Sequence, residues 1–258
     1  MSAVEVHAVV DGPADAPVLL LSNSLGADLT MWDPQVPALT ELFRVVRYDT
    51  RGHGRSPVPD GDSTIDDLAD DVLALLDRLE VPAAHVAGLS IGGMTALRLA
   101  VREPQRVRTL AVLCSSAWAG NEQTWRDRAH TVRTEGTGAI ADAVISRWFT
   151  PGYAAANPGL IARLGATFAA HPDEGYASCC AAIAAMDQRA DLGRITAPTV
   201  VVSGAEDPAL PPEHQRAIAD GIPGARLVSL SPAAHLANIE QAQQVTDALI
   251  AHATGGKS

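Results

Sequence analysis

Residues 88–92 read G-L-S-I-G, directly after the apolar run H-V-A-G-L at 85–89 and before a helical pattern in Met94, Leu97, Arg98 and Val101. That context is what a sharp strand-to-helix turn needs in order to present a serine hydroxyl clear of the sheet. The turn strains the backbone at Ser90, and a Cβ at position 88 or 92 would collide with the reversing chain, which accounts for Gly88 and Gly92. Gly93 then allows the helix to pack closely. A glycine-rich turn with an ordinary capping serine would show the same five residues, so partners decide the matter. A serine hydroxyl is a poor nucleophile at neutral pH unless a base lies within reach and an acid orients that base. Asp207, in V-V-V-S-G-A-E-D-P, and His235, in S-P-A-A-H-L-A-N-I-E, each follow a late apolar run. The order Ser90, Asp207, His235 therefore offers nucleophile, acid and base. Glu206 competes for the acid role, but the G-x-x-D spacing from Gly204 favours Asp207. Histidines at 7, 53, 85, 130, 171, 214 and 252 compete for the base role, and none of them follows a late strand and opens a helix as His235 does.

Charge developing on a carbonyl oxygen beside Ser90 needs donors. At a helix N-terminus the Ile91 amide is free and the helix dipole is positive, so Ile91 N–H is one candidate. The segment S-N-S-L-G at 22–26 follows another apolar run, and the backbone N–H of Leu25 is the second candidate. Asp49 and Arg51, in the glycine-rich turn Y-D-T-R-G-H-G-R-S at 48–56, read as braces for neighbouring loops.

The elements that must position these groups are legible as alternation. Strand-like runs lie at 18–23, 44–49, 85–89, 107–114, 199–204 and 226–230, and their continuous apolar character suits a sheet covered on both faces. Between the second and third runs Ile65, Leu68, Ala69, Val72, Leu75, Leu76 and Leu79 follow helical spacing behind a cap at Ser63 or Thr64. Strand and helix in alternation predict an α/β fold with right-handed parallel crossovers. From 117 to 190 no strand-like run occurs, and Ala-rich helical stretches are punctuated by Gly136, Gly138, Pro151, Pro158 and Pro172. This predicts an all-helical cap over 117–190 inserted into a core formed by 1–116 and 191–258. Six arginines against seven acids make the cap the least acidic region.

Bulk properties narrow the function classes. With 258 residues, 47% hydrophobic and 19% charged, the chain reads as globular. Its net charge of −11 has the wrong sign for a protein that holds nucleic-acid phosphates or an anionic membrane surface. No apolar run approaches the roughly 20 residues that span a bilayer, and the N-terminal residues lack a basic region followed by an apolar stretch. Three cysteines, Cys114, Cys179 and Cys180, two of them adjacent, fit a reducing compartment better than a disulfide framework. A cytoplasmic protein with neither nucleic-acid nor membrane partners is the expectation.

With D-T-R-G-H-G-R-S, G-L-S-I-G-G, G-A-E-D-P and A-A-H-L-A-N-I-E in place, the chain resembles the α/β-hydrolase superfamily over essentially its full length. Within it the chain is similar to the 3-oxoadipate enol-lactonases, on S-N-S-L-G at 22–26, M-W-D at 31–33, V-V-R-Y-D-T-R-G-H-G at 45–54, R-W-F-T-P at 147–151 and Y-A-S-C-C-A-A-I-A-A-M-D at 176–187. The resemblance implies a mostly parallel central sheet flanked by helices, with the cap inserted after the sixth strand. It also implies hydrolysis of a small anionic enol-lactone without metal or organic cofactor, in bacterial aromatic catabolism. Ala234 stands where many members of the superfamily have glycine, and S-N-S-L-G replaces the more frequent H-G. Neither change removes a catalytic group. A substrate carboxylate needs a local cation in so acidic a protein, and an arginine fork suits it. Cap location points to Arg133 first and Arg147 second, with Trp148 as an apolar wall. A broad carboxylesterase or perhydrolase with the same triad, and a slow-turnover ligand-binding protein of this fold, are the alternative readings.

Overall fold

The computed structural model describes residues 3–256. Seven strands form one sheet: β1 (Ala8–Asp11), β2 (Val18–Ser22), β3 (Arg44–Tyr48), β4 (Ala84–Leu89), β5 (Val107–Leu113), β6 (Thr199–Gly204) and β7 (Arg226–Leu230), in the order β1-β3-β2-β4-β5-β6-β7. Only the β1–β3 pair is antiparallel. Every residue of β2, β4 and β6 is buried, as a sheet covered on both faces requires. Successive side chains feed opposite layers. Leu19, Leu21, Ala87, Leu89, Val200 and Val202 enter one apolar cluster, whereas Val18, Leu20, Val86, Leu110, Val112 and Val201 enter the other.

The helices follow from their own patterns. After the short α1 (Val36–Leu39) comes α2 (Ile65–Arg78), closed by a capping box in which the Thr64 side chain accepts from Asp67 N–H and the Asp67 carboxylate accepts from Thr64 N–H. Helix α3 (Ile91–Arg102) packs Ala96, Leu97 and Ala100 into the same layer as Val72, Leu75 and Leu76 of α2. Between β5 and β6 the chain forms helices only: α4 (Glu122–Glu135), α5 (Ala141–Ile145), α6 (Pro151–Ala156), α7 (Pro158–Ala169) and α8 (Asp173–Ala184), with short 3-10 turns. Helices α9 (Pro212–Gly221), α10 (Ala237–Glu240) and α11 (Ala242–Ala253) complete the core.

The structure differs from the sequence expectation in one respect. The helical insertion follows the fifth strand, β5, because a single strand precedes β2 among the described residues. That strand, β1, leaves no mark in the apolar pattern because it is a four-residue edge strand of mostly intermediate burial, with no continuous apolar run. Among the described residues no helix is long and apolar enough to cross a membrane.

The strand order fixes where a site can form. From β2 the chain moves to β3 on one side and then crosses back to β4 on the other, so the connections leaving the carboxyl ends of β2 and β4 run to opposite sides and leave a crevice outside those ends. Ser22 and Gly88 are paired at that end, immediately before the 23–26 turn and Ser90.

Candidate active site

Ser90 has φ 58° and ψ −120°, a conformation L-residues rarely adopt, and it caps α3 without a side-chain hydrogen bond of its own. Its backbone is pinned on three sides. Ser90 N–H donates to Leu113 O at 2.9 Å, and Ser90 O accepts from Met94 N–H at 3.0 Å and from the Ser115 hydroxyl at 2.6 Å. The glycines are required by contact. A Cβ at Gly88 would lie 2.1 Å from Gly92 O, one at Gly92 would lie 2.4 Å from Ser22 O, and one at Gly93 would lie 2.6 Å from the Ser115 side chain. Ser90 lines a pocket of about 530 Å³, mouth included, together with residues of α4 and of the 144–148 stretch.

His235 lines the same pocket and is the one histidine that does so. Its Nδ1 lies 2.8 Å from Asp207 Oδ2, and Asp207 Oδ1 accepts from Ala209 N–H at 2.8 Å and Leu210 N–H at 3.1 Å. With its proton on Nδ1 for Asp207, neutral His235 has the Nε2 lone pair left to accept from a hydroxyl. Asp207 is 3% exposed and His235 4% exposed, whereas Glu206 points to solvent, so geometry separates the two adjacent acids. The loop carrying His235 crosses so close to the end of β6 that a Cβ at Gly204 would lie 2.2 Å from Ala234 O. That loop is also tied to the cap: Ala234 N–H donates to the Glu240 carboxylate at 2.9 Å, the Thr150 hydroxyl donates to the same carboxylate, and Leu236 N–H donates to Trp148 O at 2.9 Å.

Leu25 and Ile91 are both buried, and neither backbone N–H has a hydrogen-bond partner among the described residues. The two segments are bound together by Gly92 N–H donating to Asn23 O at 3.0 Å. The Asn23 amide in turn donates to Tyr48 O at 2.7 Å. Asp49 accepts from Leu29 and Arg55 N–H, and the buried Arg51 forks onto Asp71 at 2.6 and 2.7 Å. Both are loop braces.

On the cap side the expectations divide. Trp148 is buried, lines the pocket and meets Phe168 edge-on at 6.0 Å between ring centroids. Arg147 lines the pocket and has no carboxylate partner among the described residues. Arg133 does not line it. Its guanidinium faces Asp62 at 2.5 Å and Glu174 at 2.6 Å, and those hydrogen bonds hold its pKa above the usual value. The second pocket arginine is Arg128, which location in the cap alone does not single out. It lies 4.5 Å from the Trp125 ring centroid and beside Tyr176, whose phenol pKa burial pushes up and Arg128 works to lower. Helical spacing contained the signal: Trp125, Arg128, Ala129 and Val132 share the inward face of α4, while Arg126 and Arg133, seven apart, share the outward one.

Cys114, Cys179 and Cys180 are free and buried, with thiols pushed up by burial, so none is a nucleophile. Among the described residues no cluster of three or more His, Cys, Asp or Glu is arranged to hold a metal ion.

Comparison with known proteins agrees with this geometry. The family model described as alpha/beta hydrolase fold matches residues 17–242. The chain is 41% identical over 238 residues to 3-oxoadipate enol-lactonase 2 of Acinetobacter baylyi, covering 92% of this chain and 89% of that one. It is 31% identical over 246 residues to a protein of Stutzerimonas stutzeri that bears the provisional name carbamate hydrolase RutD, covering 92% of each. Among solved structures, the enol-lactonase from Burkholderia xenovorans LB400 superposes with a TM-score of 0.95 at 45% identity, covering 97% of both chains. A serine held in a strained strand-to-helix turn, the sheet order around it and a matched span of most of the chain lead to one statement: this protein belongs to the alpha/beta hydrolase family.

Proposed function

We propose that this protein is a serine hydrolase that opens the enol-lactone of 3-oxoadipate, releasing 3-oxoadipate in the cytoplasmic breakdown of aromatic compounds. The observation that carries the reading is the placing of Arg128 and Arg147, neither with a carboxylate partner among the described residues, on the wall of the pocket that holds Ser90 and His235. An apolar ester would have no use for two such cations, whereas a lactone bearing an acetate group would. The names of the Acinetobacter and Burkholderia relatives support the same substrate.

In this reading the Ser90 oxygen attacks the lactone carbonyl as His235 Nε2 takes its proton. The Leu25 and Ile91 amides hold the resulting oxyanion, each such donor contributing about 2.7–4 kcal/mol in known cases. Asp207 fixes the His235 tautomer and stabilises the imidazolium. Collapse breaks the bond to the enol oxygen, which receives the proton from His235. The enol becomes a ketone, and this makes ring opening one-way. Water then gives a proton to His235 as it attacks the acyl-enzyme carbonyl, and collapse breaks the bond to Ser90 Oγ, which takes that proton back from His235 as the acid is released.

The test follows lactone loss by ultraviolet absorbance, beside p-nitrophenyl acetate and a neutral carbamate. Turnover of the lactone should fall to background in Ser90→Ala. Arg128→Ala and Arg147→Ala should each raise KM for the lactone about 10- to 100-fold, the value of a hydrogen bond to a charged group, and change the neutral ester less than about threefold. Equal turnover of lactone and neutral ester, with KM indifferent to both arginines, would move the function to a general esterase. Preference for the carbamate would ally the chain with the Stutzerimonas protein.

A further inference from the structure

Residues 24–27 form a tight turn closed by Ala27 N–H donating to Ser24 O at 3.1 Å, with Gly26 at φ +77° in its third position. In such a turn the N–H of the central peptide, here Leu25–Gly26, takes no part in closing the turn, so an outside acceptor on it anchors the turn one residue from the Leu25 N–H. The Gly26 N–H in that peptide donates to His53 Nε2 at 3.0 Å. On the other edge of the ring His53 Nδ1 lies 3.1 Å from Arg51 O. The two contacts define one tautomer: the proton sits on Nδ1 for Arg51 O, and the Nε2 lone pair faces Gly26.

The ring is held where it is. His53 is 1% exposed, and burial together with the neighbouring His171 brings its pKa down to about 3, so it stays neutral and able to accept. The His171 ring, from the turn before α8, lies 4.8 Å away, and His171 Nδ1 accepts from Gly54 N–H at 3.2 Å. A Cβ at Gly26 would come within 2.3 Å of the Phe168 ring, so the turn packs directly against that side chain. Neither histidine lines the substrate pocket.

We propose that His53 is a positioning residue for the oxyanion site: by accepting the Gly26 N–H it anchors the 24–27 turn against the core and so holds the Leu25 N–H, one residue away, in place for the carbonyl oxygen of a substrate attacked by Ser90. The proposal rests on the serine-hydrolase reading of Ser90 and Leu25. It differs from a packing role in one respect, since it makes an acceptor at the Nε2 position matter more in the transition state than in substrate binding.

The experiment compares His53→Gln, whose side-chain oxygen reaches the place of Nε2, with His53→Leu, which fills the space and accepts nothing. For each, kcat and KM are measured on p-nitrophenyl acetate, together with Ki for phenylboronic acid. That inhibitor forms a bond from Ser90 Oγ to boron as the hydroxyl proton passes to His235, and the tetrahedral adduct puts an oxygen in the oxyanion position. His53→Leu should lower kcat about 10- to 100-fold, a fraction of what losing a whole donor costs. It should raise Ki by a similar factor and change KM less than about threefold, while His53→Gln stays within threefold of the wild type throughout. Wild-type kcat and Ki in His53→Leu, or equal damage in both variants, would overturn the proposal. If His53→Leu lacks the wild-type near-ultraviolet dichroism, His53→Asn, too short to reach Gly26, replaces it under the same criteria. Ser90→Ala runs alongside: activity that survives it would overturn the hydrolase reading itself, and the positioning role with it, whereas Ser90-dependent activity indifferent to His53 would remove the positioning role alone.

Discussion

Burying an imidazole fixes its protonation state, and this has a cost in acid that can be read from the side chains. His53 and His171 are both buried with their pKa values depressed, burial being the larger cause in each case. In the unfolded chain they protonate near the ordinary histidine value of 6.5, whereas folded His53 resists to about 3. Between these values the unfolded state binds more protons, so stability is fully present above pH 6.5 and is lost progressively as the pH falls toward 3. For one such histidine the loss between pH 6.5 and 4.5 is about 2–3 kcal/mol. Urea unfolding across that window should therefore show falling stability in the wild type and a visibly smaller slope in His53→Gln. An identical slope in the variant would mean that His53 is protonated in the folded protein. Asp66 adds to the loss only at lower pH: burial would raise its pKa, but Arg98 and Arg102 outweigh burial and depress it, so its support disappears only below the ordinary carboxylate value of 3.8.

At the scale of elements, the join between core and cap is made by backbone contact as well as by side chains. Gly52 of the core turn and Gly175 of α8 touch: a Cβ on Gly175 would lie 2.2 Å from Gly52 O, and one on Gly52 would lie 2.3 Å from Gly175 Cα. Beside this contact Ser178 accepts from Ser63 N–H at 2.9 Å and donates to Gly61 O at 2.9 Å. Gly175→Ala should thus cost about 1–3 kcal/mol in urea unfolding, the usual penalty of overpacking. Gly165→Ala in α7, where a Cβ meets nothing within 4 Å, should gain about 0.5–1 kcal/mol from helix propensity. A neutral Gly175→Ala would mean that the two backbones can separate. Such contacts mark where sequence reading stopped. Strand runs and the α2 periodicity are local, so β2 to β7 and the Thr64 cap were legible to within a residue or so. Ser90, Asp207 and His235 stand out as candidates in the sequence because each follows a strand, in a motif where backbone and side chain constrain each other. Arg128 is not legible from position within the cap, because what brings it to the pocket is the face of α4 it occupies. The His53–Gly26 contact spans 27 residues between two loops and leaves no periodic trace in the chain.

For the whole molecule the question is whether the helical insertion between β5 and β6, expected to span 117–190, is a separate body. Its charge balance, close to neutral in a protein of net charge −11, and its all-helical content would suit one. The packing argues otherwise. Ala129, Val132, Trp148, Phe149, Phe168 and Tyr176 of the insertion belong to the same apolar cluster as Leu19, Leu21, Leu89 and Val202 of the sheet. Ten consecutive residues of α8, Gly175–Ala184, are buried. A cap that shares the core's hydrophobic layer cannot leave it without exposing that layer, so the two should unfold together. The four tryptophans report on this directly, since Trp118, Trp125 and Trp148 lie in the insertion and Trp32 in the core. Tryptophan fluorescence, weighted toward the insertion, and far-ultraviolet dichroism, weighted over the whole chain, should give one coincident urea transition with the same midpoint. A fluorescence transition at lower urea, with most of the dichroism intact, would make the cap an independently melting lid over Ser90 and would place substrate access under the control of its opening.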